Sequence, residues 1–112
     1  MQVNKNEPSQ WMDLGNGAKR RIICEGEELM MVQFEFEKGA VGAPHSHPHT
    51  QSTYVAEGVF DFTISDVTKR VSPGDGFLIP SNAIHSCVCI EPGVLVDAFT
   101  PRRDDFVEAH GF

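Results

Sequence analysis

Apolar and polar residues alternate with a period of two along the middle of the chain. Met30, Val32, Phe34 and Phe36 alternate with Met31, Gln33, Glu35 and Glu37, which predicts a strand buried on one face and wetted on the other. The same period recurs in Phe60, Phe62 and Ile64 against Asp61, Thr63 and Ser65. Glu57-Gly58, just ahead of that run, predicts a turn that would join it to 52–56 as a hairpin. Shorter strands are predicted at 19–24, 69–71, 76–79, 85–90 and 94–100, each bounded by Gly, Pro, Asn or Asp. Strands spaced by roughly ten residues predict an all-β sandwich or barrel. Before position 100 no segment sustains an i, i+3, i+4 apolar stripe, and Pro101 with the residues after it predicts one short C-terminal helical turn. With no fixed-period repeat, low-complexity tract or dividing linker, 1–112 reads as a single domain. The polar arm 1–20 carries Trp11, Met12 and Leu14, and is expected to lay a strand across a partner in a homodimer, covering a sheet edge.

Charge narrows the set of partners. Nine Lys and Arg stand against sixteen Asp and Glu, a formal charge of -7. Without a basic cluster the chain lacks the face needed to neutralise phosphates, so no nucleic acid partner is expected. Apolar runs fall far short of the ~20 residues of a membrane helix. The opening MQVNKNEPSQ has no apolar signal core, so the expected location is cytoplasmic, with no membrane partner. The three cysteines, Cys24, Cys87 and Cys89, define no disulfide framework and read as small hydrophobes of a reducing compartment. A thiolate metal site on Cys87 and Cys89 is the alternative, although C-x-C is tighter than ordinary zinc-ligand spacing.

The histidines carry the strongest chemical signal. HSHPH occupies 45–49 and His85 stands alone further on. On an extended segment His45 and His47 project to one face, where both imidazoles can meet one cation. Gln51 follows as a neutral oxygen donor, and His85 opens a segment in which it shares a face with Cys87 and Cys89. Three imidazoles and an amide oxygen suit a borderline divalent ion (Ni, Zn, Mn or Fe) with positions left for water or substrate. An exposed histidine tract can also bind metal adventitiously, and a lone His85 can be a hydrogen-bonded interior residue. In 94–100 the alternation puts Leu95, Asp97 and Phe99 on one face, and an acid among apolar residues must face a polar pocket or pair with a cation. Arg102 and Arg103 follow just after Pro101; the bland reading makes Asp97 a satisfied barrel-end carboxylate and the two arginines solvated surface charge.

The glycine and proline spacing around these histidines adds a resemblance. Gly39, His45, His47, Gln51 and Gly58 resemble the first cupin motif, G-x5-H-x-H-x3,4-E-x6-G, over 39–58. Gly74, Pro80, Asn82, His85 and Cys89 resemble the second, G-x5-P-x-G-x2-H-x3-N, over 74–89. The departures are Gln51 for Glu, Asn82 for Gly and Cys89 for Asn. Asn82 is benign because Asn tolerates left-handed turn conformations. Gln51 removes one negative charge from the ligand set, leaving a bound ion a stronger Lewis acid and a poorer host for higher oxidation states. The resemblance implies a single-domain cupin jelly-roll β-barrel with one divalent ion held by His45, His47, Gln51 and His85.

DAFTPRRDDF, together with HSHPHTQ, is similar to the KdgF family of small pectin-degradation cupins. That likeness implies an enzyme acting on a small anionic sugar, converting 4,5-unsaturated monouronates to linear 4-deoxy-5-keto uronates. Its catalytic elements map onto Asp97 as general base, Phe99 against the sugar ring and Arg103 on the substrate's negative charge. A cupin dioxygenase at the same four ligands, or a non-catalytic sugar-binding cupin, are the other readings.

Overall fold

The computed structural model describes residues 1–111. Eight strands follow a short 3-10 turn at Pro8–Gln10: β1 (Met12–Gly15), β2 (Ala18–Gly26), β3 (Leu29–Phe36), β4 (Val41–His45), β5 (Thr50–Ile64), β6 (Val67–Val71), β7 (Gly76–Ile79) and β8 (His85–Thr100). One helix, α1 (Asp104–Ala109), ends the chain. All pairings are antiparallel, in the order β1-β2-β3-β8-β5-β6, with β4 also on β8 and β7 also on β5.

The two long strands organise the molecule. β5 and β8 pair along nearly their whole lengths, from Thr50↔Thr100 to Ile64↔His85. Each changes its second neighbour midway. The first half of β8 takes β4 and the second half takes β3, while β5 passes from β7 to β6. The sheet therefore rolls over on itself, and register shifts between Val55 and Phe60 mark where it bends. Inside the roll, Val55, Phe60, Phe62, Ile79, Cys89 and Leu95 form one apolar cluster. Ile22, Met30, Val32, Phe99 and Phe106 form a second beneath α1. The alternation read from 30–36 holds, with Met30 and Val32 fully buried while Met31 is exposed.

Two expected turns are corrected. Glu57-Gly58 does not reverse the chain as a hairpin; it sits within β5 as a bulge. Likewise 85–90 and 94–100 are one strand, β8. A glycine at positive φ serves a bulge as well as a turn, and here Gly58 has φ +80°. Close packing explains why no side chain fits: a Cβ on Gly58 would lie 2.4 Å from the Gly93 Cα and 2.5 Å from the Pro92 carbonyl oxygen. Gly58→Ala is therefore expected to cost about 2–4 kcal/mol, through positive φ and overpacking against backbone that cannot move aside. A lowered denaturation midpoint at unchanged m-value is the readout; an unchanged midpoint would show that the bulge can relax.

The alternation also passed over β1 and β4. β1 is a short edge strand joined to β2 through Asn16 and Gly17, both at positive φ, as in a primed hairpin turn. Gly42 and Pro44 dilute the signal of β4. Among the described residues no helix is long and apolar enough to cross a membrane.

Candidate metal centre and pocket

Register brings the predicted ligands together. His45 ends β4 directly opposite His85 at the start of β8, and their ring centroids lie 4.1 Å apart. His47 lies in the loop that follows, 5.0 Å from the His85 ring and 5.9 Å from that of His45. One nitrogen from each of these three histidines lies within 4.8 Å of the others. Gln51, at the start of β5, places Oε1 3.0 Å from His47 Nε2. His47, Gln51 and His85 are buried, whereas His45 is exposed at the mouth.

Hydrogen bonding decides which nitrogens are available. Nδ1 of His45 donates to the Ala43 carbonyl at 2.7 Å, that of His47 to the His49 carbonyl at 3.1 Å and that of His85 to the Ala83 carbonyl at 2.9 Å. Each neutral ring then presents an Nε2 lone pair, with its tautomer set by the backbone. The Nε2 of His85 is buried without a partner. That of His47 faces the Gln51 amide oxygen, so two acceptors meet. A proton on His47 would relieve this, but burial and then Arg103 lower the pKa of that ring. Burial lowers that of His85 as well. A cation among these atoms relieves both conflicts, and the imidazole and amide donors suit a borderline divalent ion.

A chain of hydrogen bonds runs from this cluster to Asp97. Thr53 and Asp97 are cross-strand partners on β5 and β8, and the Thr53 hydroxyl donates to Asp97 Oδ1 at 2.7 Å. Having spent its only proton there, the hydroxyl can only accept from Gln51 Nε2, at 3.1 Å. This fixes the amide with its oxygen toward His47. Sequence reasoning missed Thr53, although two-residue alternation from Gln51 already placed it on the inner face. Asp97 is 4% exposed, and burial raises its pKa to about 7 against the hydrogen bonds from Thr53 and Gln51 and the charge of Arg103. Leu95 and Phe99 are buried with it, as the alternation predicted.

Both groups open on one cavity of about 350 Å³, whose lining includes His45, Gln51, His85, Asp97, Phe99 and Arg103. Arg103 precedes α1, pairs with Asp105 through two hydrogen bonds at 3.0 and 2.8 Å, and lies 5.2 Å over the Phe99 ring and 4.0 Å over that of Phe106. Arg102 turns away and pairs with Glu25 and Asp104. Adjacent arginines thus take separate roles because the chain is entering a helix there, a distinction invisible in the sequence. The cysteines are all free. Cys87 and Cys89 are buried, and burial pushes the Cys87 thiol up to about 11, which opposes a thiolate ligand there. Cys24 is exposed on β2 rather than packed inside.

This rolled sheet, with histidines from two glycine-bounded motifs facing one another across β4 and β8, is the arrangement of a cupin. The cupin domain family matches residues 32–99, and the chain belongs to it. Within the cupins it falls with the KdgF family: it is 41% identical over 104 residues to the pectin degradation protein KdgF of Dickeya dadantii strain 3937, covering 91% of this chain and 94% of that one. The solved structure of KdgF from a Halomonas species superposes with a TM-score of 0.89 at 38% identity, covering 95% of this chain and 98% of that one. An RmlC-like cupin from Shewanella frigidimarina NCIMB 400 superposes at 0.90 with 39% identity, covering 96% of each chain.

Proposed function

We propose that this chain is a metal-dependent enzyme of pectin degradation that opens 4,5-unsaturated monouronates, released by pectate or alginate lyases, to linear 4-deoxy-5-keto uronates. The observation that carries the reading is Asp97, a buried carboxyl without a cationic partner in hydrogen-bond contact among the described residues, facing the same cavity as His45, Gln51 and His85. Burying an acid is costly, and orienting Thr53 and Gln51 leaves its second oxygen to serve the cavity. A divalent ion held by His45, His47, Gln51 and His85 would supply Lewis acidity where negative charge develops.

The steps assigned to the chain's own residues balance. Asp97 accepts the proton of the C1 hydroxyl; the C1–O5 bond breaks as C1 becomes an aldehyde, and the electron pair passes to the ring oxygen as an enolate. Protonated Asp97 then returns the proton to C4, leaving a ketone at C5. A carboxyl with its pKa raised toward neutrality suits both transfers. Arg103, oriented by Asp105, binds the substrate carboxylate, and Phe99 packs against the sugar ring.

The test is to add metal-loaded protein to purified unsaturated monouronate and follow the ultraviolet absorbance of the conjugated double bond. Loss of absorbance without oxygen uptake is expected. Unchanged absorbance overturns the reading, and oxygen consumption would favour the dioxygenase alternative. Gln51 speaks against that alternative, because a neutral ligand set disfavours a higher oxidation state. Tight sugar binding without turnover would indicate a binding cupin.

The same proposal treats 1–112 as one domain acting in the cytoplasm, in keeping with three free cysteines. It also takes the chain to be a homodimer. The arm 1–20 lies along the sheet margin with β1 on its own β2, leaving the outer edge of β1 open to the partner, and Leu29, Met31, Tyr54 and Leu78 remain exposed.

A further inference from the structure

Arg20, on β2, lines the same cavity as Asp97 and Arg103 and has no part in the chemistry described so far. Its guanidinium carbon lies 3.8 Å from the centroid of the Phe106 ring, and that of Arg103 lies 4.0 Å from the same centroid. The two guanidiniums are therefore no more than about 8 Å apart. Their partners differ. Arg103 is paired with Asp105, whereas among the described residues Arg20 forms no ion pair. Its Nε donates to His110 Nε2 at 3.1 Å, and its Nη2 reaches only the Met12 sulfur, at 3.8 Å. A half-buried positive charge beside another, with one carboxylate between them, leaves this end of the cavity with an excess of positive charge. Burial and the charge of Arg103 both act against it.

We infer that Arg20 is a further substrate-binding residue, joining Arg103 to clamp the carboxylate of the sugar and so setting the preference for an acid over a neutral sugar. Both guanidiniums pack on Phe106 and line the cavity, so a carboxylate drawn to this end meets two positive charges no more than about 8 Å apart, each able to form a charge-assisted pair. This rests on the uronate reading above. It also gives the acidic chain its second local positive charge, the place Arg102 does not fill.

Steady-state kinetics of Arg20→Gln and Arg20→Lys, on the unsaturated monouronate and on its neutral methyl ester, test the inference. Arg20→Gln is expected to raise KM for the acid ~10–100-fold while leaving kcat within about threefold, and to leave KM for the ester unchanged. Arg20→Lys should recover part of the loss. His110→Ala, which removes the neutral partner and keeps the charge, should retain the wild-type preference for acid. If Arg20→Gln keeps both the KM and the acid-over-ester preference of the wild type, Arg20 only docks the helix and the inference is wrong. Calorimetric affinity for saturated galacturonate against neutral galactose separates this from the reaction itself. If the wild type turns over no unsaturated uronate, the function reading falls, yet a ~10-fold or greater loss of galacturonate affinity in Arg20→Gln still upholds the clamp. No such loss overturns it.

Discussion

Asp97→Asn is expected to slow opening of the unsaturated uronate by roughly 10²–10⁴-fold, the usual contribution of a general base, while fold and metal content stay as in the wild type. Asn has nearly the same shape and can still accept the Thr53 hydroxyl, so the packing around β8 loses little. What it cannot do is take a proton from the substrate. The pH profile gives a second signature. In the wild type the rate falls as pH drops and the Asp97 carboxylate becomes protonated. Burial raises that transition toward about 7 in the ion-free pocket, and a bound cation draws it lower. This acidic limb should be absent from the residual activity of the Asn variant. Full metal content with undiminished turnover would make Asp97 a structural carboxyl and move the base elsewhere. Circular dichroism and metal analysis on the same preparation distinguish loss of chemistry from loss of fold.

His47→Ala should abolish metal binding and activity together, which separates it from the Asp97 variant. His47 touches every part of the cluster: its ring lies near those of His45 and His85, and its Nε2 faces Gln51. An ion that binds only the folded protein raises stability by RT ln(1 + [L]/Kd), about 4 kcal/mol at a thousandfold excess over Kd. The wild type should therefore melt at higher temperature when divalent metal is added, and His47→Ala should show little or none of that rise. Activity should fall at least ~100-fold, within the range of removing a Lewis acid worth several kcal/mol. A variant that keeps stoichiometric metal would show that His45, Gln51 and His85 suffice. Retained metal with lost activity would make His47 a group that acts on substrate.

Much of this molecule is written locally. Period-two alternation in 30–36 and 60–64 states which side chains turn inward, because successive residues of a strand point to opposite faces and one face is dry. The same rule placed Asp97 between two buried apolar residues before any fold was known. Short spacing likewise marked HSHPHTQ as a candidate ligand segment, since alternate residues and a tight loop can converge without help from the rest of the chain.

Other features depend on contacts between residues far apart in sequence. Glu57-Gly58 reads as a turn because positive φ serves turns and bulges alike; only the backbone of Gly93 lying against Gly58 makes it a bulge in a continuous strand. Thr53 became part of the site through register, which set it opposite Asp97 forty-four residues away. Arg102 and Arg103 are equivalent as letters, and the start of α1 sends one to Glu25 and the other over Phe99. Arg20 gave no signal, since a single arginine in a strand resembles any surface charge until β2 is seen to form a wall of the cavity. Which side chains of the alternating strands face inward, and which types of donor are present, follow from one- and two-residue periodicity. Which donors meet, and in which protonation state, was decided by the pairing of β4, β5 and β8, a non-local arrangement whose register no short window of sequence records.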